Sequence, residues 1–447
     1  MHYINWYNIL NITLISKKHI GGDIMNAFKK NKLIFVSLLV LMILFENFFM
    51  HVDMVSAATS QLLYGDVDGS GEVNSLDYAL IKSYLLGNIT DFPEANGKRA
   101  ADVNGDGSID SLDISLTKSF ILGIIEKFPI ETPTNTFAKG ADISWLPQME
   151  ANGYKFYNNK DNQQDCLQIL KDYGINSVRI RTWVNPSTDK WNGHCSTNET
   201  IALAKRANNL GFRVMIDFHY SDSWADPGKQ TKPAAWLNLD FNGLMKMTYD
   251  YTYNVMTQLR NNGISPEWVQ VGNETNNGML WEDGKASNNM KNFAWLVNCG
   301  YDAVKAVSSK TKVIVHISNG FNNTLFRWMF DGLNSNGAKY DVIGMSLYPD
   351  KDNYSALSSQ CLSNMNDMVS RYNKEIMICE IGMQYNYASE SKSFIADMIK
   401  KTKSLPNNKG LGVFYWEPES FPGMNGYNKG CWDSDGKPTI ALDGFLN

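Results

Sequence analysis

The segment Val214–Gln230, VMIDFHYSDSWADPGKQ, decides the fold class of this 447-residue chain. It begins as an apolar strand over Val214–Phe218 and then brings acids, a histidine, aromatic residues and a lysine. Polar side chains that follow the carboxyl end of an apolar strand are typical of the chemically active face of an α/β protein. The segment therefore predicts a buried strand that ends in a functional loop.

Strand-like segments of this kind recur along the region 137–447 and alternate with helical segments. The predicted strands are Ala138–Ser144, Ser177–Trp183, Arg213–Tyr220, Trp268–Glu274, Val313–Ser318, Val342–Tyr348, Ile376–Ile381 and Gly412–Glu417. The helix-like segments between them include Asp165–Tyr173, Glu199–Asn209 and Phe241–Arg260. Strand-then-helix units in this order predict an α/β fold of the (β/α)8 TIM-barrel type. A doubly wound sheet is the alternative, but polar residues follow nearly every strand rather than those at one crevice.

The fourth and seventh predicted strands carry a glutamate at or next to their carboxyl ends. The run Trp268-Val-Gln-Val-Gly-Asn-Glu274 ends the fourth strand, and Ile376-Met-Ile-Cys-Glu380 lies in the seventh. Retaining glycoside hydrolysis uses a protonated acid near the leaving oxygen and an ionised carboxylate about 5–5.5 Å away, beneath the anomeric carbon. The pattern predicts Glu274 as the acid/base and Glu380 as the nucleophile. The alternative for each is a strand-end glutamate in a structural role.

The second and third strands contribute further candidates. Asp217 and His219 are two residues apart in a strand and so share one face, and we expect both to point into the barrel mouth and bind substrate. Arg179 and Arg181 also share a face, and one of them is expected to pair with the nucleophile and hold its pKa down. The prediction favours Arg181 for this ion pair. The other arginine would support the barrel.

Aromatic and amide side chains complete the predicted substrate site. Asn273 is predicted to donate to the sugar 2-hydroxyl, and Tyr348 to hydrogen-bond the nucleophile. Trp224 follows the third strand, and Trp416 is placed to form the floor beneath the sugar. Core packing is the alternative for Trp416.

Residues 64–125 contain an internal repeat with the spacing of a calcium loop. The segments Asp66–Asp77 and Asp102–Asp113 place oxygen side chains at positions 1, 3, 5, 9 and 12 and glycine at position 6. Alternate residues point oxygens inward, and the last acid closes the coordination shell. A helix-like segment follows each loop, Tyr78–Leu86 and Ile114–Leu122. The predicted ligands of two calcium ions are Asp66, Asp68, Ser70, Glu72, Asn74, Asp77, Asp102, Asn104, Asp106, Ser108, Asp110 and Asp113.

This repeat resembles the type I dockerin module over almost its whole length. Position 12 is aspartate rather than the usual glutamate, and no long helix precedes either loop. The resemblance implies a small all-α dockerin with two calcium loops, which docks onto a cohesin domain of a scaffolding protein. The positions that match its recognition pairs are Ser75-Leu76 and Ser111-Leu112, with Lys82 and Lys118 further along. A calcium-dependent fold with no partner is the alternative.

Motifs of the larger region resemble glycoside hydrolase family 53, the arabinogalactan endo-β-1,4-galactanases. They are Gly140-Ala-Asp-Ile-Ser144, Val178-Arg-Ile-Arg-Thr-Trp-Val-Asn-Pro186, Asp217–Gln230 with Pro233 and Trp236, Val269–Glu274 and Phe414–Pro418. The resemblance spans about 137–447 and implies retaining, endo-acting hydrolysis of β-1,4-galactan by Glu274 and Glu380. It also implies substrate contacts around Asp226 and Lys229. The segment Ile381–Tyr387 differs from the family pattern, and no acid cluster after the seventh strand indicates a further calcium site there.

The N-terminal segment has the features of a signal peptide. Three lysines at positions 29, 30 and 32 precede the apolar run Leu33–Phe45, and Val55-Ser-Ala57 suits a signal peptidase. This run is short for a membrane span, and a retained anchor helix is the alternative. We predict a signal peptide over 1–57, with its natural start at Met25. A dockerin over 62–128, a linker over 129–136 and a glycosidase domain over 137–447 follow it.

Composition and charge bound the remaining partners. The formal net charge is −5 and there is no long basic run, which argues against a nucleic-acid partner. Together with the signal peptide, the two resemblances imply a secreted, extracellular galactanase that is monomeric, free of the membrane once its signal is removed and bound to a cellulosome scaffold. Its substrate would be galactan or arabinogalactan side chains of pectin, and catalysis would need no cofactor. The alternatives are a mannanase or cellulase of the same clan, or a non-catalytic scaffold-bound glycan-binding subunit.

Overall fold

The computed structural model describes residues 62–105, 108–130, 137–189 and 193–446. The predicted signal peptide, the calcium ligand Asp106 and positions 131–136 of the linker lie outside the described residues. Among the helices that are described, none combines the length and apolarity needed to cross a bilayer. The six cysteines all lie within the described ranges and are free thiols.

The larger region is a closed barrel of parallel strands. The strands are β1 Ala138–Asp142, β2 Ser177–Thr182, β3 Arg213–Phe218, β4 Trp268–Val271, β5 Lys312–Ile317, β6 Val342–Leu347, β7 Glu375–Ile381 and β8 Gly410–Tyr415. Each strand pairs with the next along the chain, and β1 pairs in parallel with β8. Closure leaves no edge strand, so the TIM-barrel prediction is confirmed and the doubly wound sheet is excluded.

Several strands end earlier than the sequence pattern suggests. Tyr220, Glu274 and Glu417 have φ angles of +49°, +43° and +47°. A positive φ takes the chain out of the extended conformation, and non-glycine residues adopt it only at a steric cost. Each of these three residues follows a strand end by two or three positions. The strands therefore stop below the predicted site, and a strained turn aims the next side chains.

Before the barrel, the described residues form a small helical module. Its helices are α1 Ser75–Leu85, α2 Gly97–Ala101 and α3 Ser111–Ile121. Both α1 and α3 begin three residues earlier than predicted, because Asn74 and Asp110 cap them and complete capping boxes with Asp77 and Asp113. Val103, Leu112, Leu116 and Phe128 form a buried apolar cluster in this module.

Helices surround the barrel. They are α4 Leu146–Ala151, α5 Cys166–Asp172, α6 Thr197–Asn209, α7 Phe241–Asn261, α8 Ala286–Val307, α9 Asn323–Ser335, α10 Tyr354–Tyr372 and α11 Ala388–Lys403, with 3-10 turns at Ala234–Trp236 and Ile440–Leu446. Ser196 and Asp240 cap α6 and α7, which explains where these two predicted helices begin. Their apolar faces pack against the outer faces of the strands.

The barrel interior changes from apolar to polar along the strands. An apolar cluster inside the barrel consists of Ala138, Met215, Trp268, Ile314, Val342, Met377, Cys379 and Phe414. A Cβ atom at Gly140 would lie 2.1 Å from the ring of Phe414, so this packing requires glycine. Further along the same strand faces come Asp142, Arg179, Asp217, Gln270 and His316, all buried. The polar layer lies toward the carboxyl ends of the strands, where TIM barrels place their active sites.

Candidate active site

Glu274 and Glu380 line one cleft at the mouth of the barrel. The cleft has a volume of about 490 Å³. Eight of the eleven predicted catalytic and substrate-binding residues line it: Glu274, Glu380, His219, Trp224, Asp226, Asn273, Tyr348 and Trp416. Residues for which the sequence pattern predicts no role also line it: Trp145, Ala225, Asn425, Gly426, Tyr427 and Lys429.

Glu380 is held between a cation and a hydroxyl group. Its Oε1 atom lies 2.8 Å from Arg179 Nη2, and its Oε2 accepts a hydrogen bond of 2.7 Å from Tyr348 Oη. Only 5% of Glu380 is exposed. Both contacts stabilise the ionised carboxylate. The predicted hydrogen bond from Tyr348 is therefore present.

The prediction that Arg181 pairs with Glu380 is wrong, because Arg179 forms that ion pair. Arg181 is buried and instead contacts Glu417 through Nη1. Its guanidinium carbon lies 4.4 Å from the ring centroid of Trp224. Arg181 is thus placed beneath the aromatic wall of the cleft and does not line it. Both arginines are on the same face of β2, and their different depth in the barrel separates their roles.

The substrate contact predicted for Asp217 also disagrees with the structure. Asp217 is fully buried, and its carboxylate is bonded to Arg179 Nη2 at 2.9 Å, Gln270 Nε2 at 3.0 Å and His219 Nε2 at 3.1 Å. Burial would raise the pKa of Asp217, but Arg179 and His219 lower it below its usual value. Asp217 therefore holds Arg179 and His219 in place from below the cleft.

Glu274 has a different set of contacts from Glu380. Its Oε1 atom accepts a hydrogen bond of 2.7 Å from Ser346 Oγ. No lysine or arginine among the described residues forms an ion pair with it. The turn that presents it needs Gly272, which has a φ of +86° and whose Cβ would lie 2.6 Å from Thr275 Cγ2. A hydroxyl donor without a paired cation leaves Glu274 easier to protonate than Glu380.

The two carboxyl groups are electrostatically linked. Burial raises the pKa of both Glu274 and Glu380. Arg179 opposes this shift at Glu380, whereas the charge of Glu274 adds to it. Because two neighbouring carboxylates that are both partly or fully withdrawn from solvent resist double ionisation, the charge of one raises the pKa of the other. The ion pair with Arg179 and the bond from Tyr348 favour the carboxylate at Glu380 and the proton at Glu274.

His219 and Asn273 are fixed by the protein before any ligand binds. His219 Nδ1 accepts from Trp183 Nε1 at 3.2 Å and from the Ala225 amide at 3.1 Å, so its proton lies on Nε2, facing Asp217. Asn273 accepts from Arg179 at 2.8 Å and donates through Nδ2 to the Ala225 carbonyl at 2.9 Å. The Asn273 Nδ2 group has a second hydrogen, which can donate to a ligand in the cleft.

Aromatic rings form one wall of the cleft. The ring centroids of Trp145 and Trp416 lie 5.0 Å apart, those of Trp145 and Trp224 lie 5.8 Å apart, and those of Trp416 and Tyr427 lie 4.7 Å apart. The rings meet at steep angles, so each supports the next at its edge. Glu417 stabilises this wall from below, because its Oε2 accepts a bond of 3.0 Å from the Trp145 amide.

The loop after β3 carries the last two predicted contacts. Asp226 and Lys229 are exposed and pair through backbone hydrogen bonds of 2.8 and 3.0 Å in a tight turn. Asp226 lines the cleft, whereas Lys229 is outside its lining, with Nζ 3.5 Å from Ser223 Oγ. The structure thus brings Asp226, but not Lys229, to the cleft that Glu274 and Glu380 line.

The first predicted calcium loop has converging carboxylates. Oxygen atoms of Asp66, Asp68 and Asp77 all lie within 4.8 Å of one another. The glycine at position 6, Gly71, has a φ of +86° and donates its amide to Asp66 Oδ2 at 2.8 Å. Converging oxygen ligands around such a turn fit a calcium ion. The second loop repeats the capping geometry at Asp110 and Asp113, and its position 5, Asp106, lies outside the described residues.

Comparisons with known proteins place both regions of the chain in families. Residues 138–443 match the family model for glycosyl hydrolase family 53, and residues 64–122 match that of the dockerin type I domain. An arabinogalactan endo-β-1,4-galactanase from Thermothelomyces thermophilus is 34% identical over 63% of this chain and 89% of its own length. Another from Humicola insolens is 35% identical over 63% of this chain and 89% of its own length. A solved fungal β-1,4-galactanase is 30% identical, covers 70% of this chain and all of its own, and has a TM-score of 0.64.

Proposed function

This chain belongs to glycosyl hydrolase family 53 and carries a type I dockerin domain, and from that premise we propose that it is a retaining endo-β-1,4-galactanase. The observation that carries the proposal is the unequal surroundings of two carboxyl groups in one cleft, the buried Glu380 and the half-buried Glu274. Glu380 pairs with Arg179 and accepts a hydrogen bond from Tyr348. Glu274 accepts a hydrogen bond from Ser346 and, within the described part of the chain, has no paired lysine or arginine. Retaining hydrolysis needs this division between a nucleophile and an acid/base.

In the first step, Glu380 attacks the anomeric carbon and forms a covalent glycosyl ester. Glu274 gives its proton to the departing oxygen in the same step, so that the leaving sugar departs as a neutral alcohol. In the second step, Glu274 takes a proton from water, which attacks the anomeric carbon and releases Glu380. Two inversions give net retention. The fixed donor of Asn273 faces the sugar 2-hydroxyl, and the wall of Trp145, Trp224 and Trp416 packs against the sugar rings.

The proposed substrate is β-1,4-galactan, including the galactan and arabinogalactan side chains of pectin. The support for this choice is that the two relatives described above are arabinogalactan endo-β-1,4-galactanases. An open cleft at the barrel mouth suits an internal position in a long chain. No step of this mechanism needs a metal or an organic cofactor in the barrel.

The dockerin assigns a second role to the chain. Type I dockerin domains bind calcium, and we infer two ions, one in each loop, with the twelve ligands predicted above. Leu76 is 54% exposed on α1 beside Ser75, which leaves this predicted recognition pair accessible to a cohesin. The proposal is a secreted, extracellular and otherwise monomeric enzyme that a signal peptide over 1–57 exports. The dockerin over 62–128 and the linker over 129–136 attach the glycosidase domain 137–447 to a scaffold.

A polysaccharide panel tests the proposed substrate. The full chain is incubated with β-1,4-galactan, β-1,4-mannan and carboxymethylcellulose, and new reducing ends are measured. We expect release from galactan alone, with oligosaccharides as early products because attack is internal. Release of reducing ends from mannan or cellulose, but not from galactan, would contradict the proposed substrate. If the folded chain binds galactan but cleaves none of the three polysaccharides, the proposal that it is an enzyme is contradicted.

A further inference from the structure

Two side chains that the proposed mechanism does not use lie in line behind Glu274. Ser346, at the end of β6, has its Oγ 2.7 Å from Glu274 Oε1. The same Oγ lies 2.7 Å from His316 Nε2, on the neighbouring strand β5. Ser346 and His316 are both fully buried. In a buried chain of hydrogen bonds, the neighbours of each group determine whether that group donates or accepts.

That direction follows from Gln270. Arg179 Nε donates to Gln270 Oε1 at 2.7 Å, which fixes the amide so that Nε2 faces His316 Nδ1 at 3.0 Å. The Glu274 amide also points at His316 Nδ1, at 3.4 Å. Asn273 Oδ1, which already accepts from Arg179 Nη2, lies 3.1 Å from the same nitrogen. Two N–H groups thus point at His316 Nδ1 against this one acceptor, so Nδ1 accepts and the ring proton lies on Nε2. Burial lowers the pKa of His316 well below its usual value, and Arg179 adds to this, so the ring is neutral.

The remaining protons are then determined. His316 Nε2–H donates to Ser346 Oγ, and the Ser346 hydroxyl proton is left to donate to Glu274 Oε1. A carboxyl group that accepts at Oε1 carries its own proton on Oε2, the other oxygen. The Oε2 atom is the one left for the leaving group in the cleft.

We propose that His316 and Ser346 are positioning residues that orient Glu274 and reserve its Oε2 atom for proton transfer to and from the substrate. This inference rests on the proposed role of Glu274 as acid/base. A hydroxyl that donates to a carboxylate stabilises its charged form, so Ser346 helps most where Glu274 has lost its proton. The pair thus serves both steps: it aims the acid in the first and stabilises the base in the second.

Other charged and titratable groups also face Glu274, and they are the same in a Ser346 variant. Arg179 lowers the pKa of Glu274, and Asp226 and Asp217 raise it. The groups around Glu274 on the other elements are Arg179, Asp217, His219, Asp226, His316, Tyr348 and Glu380. A shift on replacing Ser346 alone therefore reports the loss of its hydroxyl.

The test compares Ser346→Ala, Ser346→Thr and a control, Ser318→Ala, in the full chain. Ser318 is also a buried serine, one residue after the end of β5, but its Oγ accepts from Asn276 and forms no hydrogen bond with either glutamate. On galactan we expect Ser346→Ala to lose at least about tenfold in kcat with KM nearly unchanged, since general acid–base catalysis supplies about 10²–10⁴-fold. The alkaline limb of its kcat/KM profile moves to higher pH, because Glu274 holds its proton longer. Ser346→Thr keeps the hydroxyl and restores both quantities, and Ser318→Ala behaves as the parent.

A readout without substrate separates this inference from the proposed function. The titration of the Glu274 carboxyl carbon is followed by NMR in glutamate-labelled protein and assigned by its absence in Glu274→Gln. A rise in the pKa of Glu274 in Ser346→Ala, reversed in Ser346→Thr, supports the positioning role even if the parent has no galactan activity. An unchanged titration in Ser346→Ala overturns it. Equal losses of activity in Ser346→Ala and Ser318→Ala, with no change of pH profile, also overturn it.

Discussion

Arg179 Nη2 lies 2.8 Å from Glu380 Oε1, and the two side chains are almost completely buried. The same guanidinium also contacts Asp142 at 2.6 Å and Asp217 at 2.9 Å. One cation is therefore shared among three acids; its Nε donates to Gln270, and Nη2 also donates to Asn273. Such a network is costly to break, because each partner left behind would be a buried, unpaired charge.

Arg179→Lys is expected to impair catalysis through Glu380. Lysine keeps the charge but cannot serve all these acceptors at once. The cation favours the ionised carboxylate, so weakening it raises the pKa of Glu380. Since attack needs Glu380 ionised, the acidic limb of the kcat/KM profile should move to higher pH, with a loss of about 10²-fold or more at the optimum. An acidic limb that stays in place would contradict this role of Arg179. Arg206→Lys, at an exposed ion-pair cluster outside the cleft, is the matched control.

Gly382→Ala should disturb the nucleophile without touching it. A Cβ at Gly382 would lie 2.8 Å from Tyr348 Cε1 and 3.1 Å from Tyr427 Oη. Tyr348 must then move, and its hydrogen bond to Glu380 lengthens or breaks. We expect kcat to fall about tenfold, as in Tyr348→Phe, which removes only the hydroxyl. If the double variant Gly382→Ala/Tyr348→Phe loses no more kcat than either single variant, both changes act through the hydrogen bond from Tyr348 to Glu380. Fully additive losses would argue against this explanation.

The stereochemistry of the first product follows from the proposed roles. Proton NMR of a fresh galactan digest should show the β-anomer at the new reducing end before mutarotation. Early appearance of the α-anomer would show inversion and exclude Glu380 as a covalent nucleophile. In Glu274→Ala, added azide should restore turnover and give a β-galactosyl azide, because azide needs no general base.

Calcium should matter for docking and not for hydrolysis. Titration of the metal-free full chain should show two bound calcium ions, and chelation should abolish cohesin binding. Hydrolysis of soluble galactan should be unchanged by the same chelator. Asp77→Ala should lower affinity at the first loop and weaken α1 by about 1 kcal/mol as well, since Asp77 also completes the capping box. A loss of hydrolysis when calcium is removed would mean that the barrel needs the ion.

Much of the architecture is readable from local sequence. Alternating apolar strands and helices predict the barrel, and the runs that end at Glu274 and Glu380 predict both catalytic candidates, because a strand's carboxyl end has a fixed place in this fold. The loops of the dockerin are equally local, since spacing alone brings the oxygens of Asp66, Asp68 and Asp77 together.

The errors and omissions arise from contacts between strands. Arg179 and Arg181 share a face, and sequence spacing does not say which one lies level with Glu380. Asp217 looked like a substrate ligand because the pattern gives its face but not its depth. The line from His316 through Ser346 to Glu274 depends on the register between β5 and β6, which pairs His316 with Gly344. A histidine inside an otherwise apolar strand was the one signal available for it.

The central claim, that Glu380 is the nucleophile of a galactanase, is tested most directly by one comparison. Reducing-end release from β-1,4-galactan is measured for the full chain and for Glu380→Gln, with folding of both checked by circular dichroism. We expect activity in the parent and a loss of about 10³-fold or more in the variant, roughly 4 kcal/mol of transition-state stabilisation. A folded variant that retains more than about a tenth of the parent's rate would contradict it.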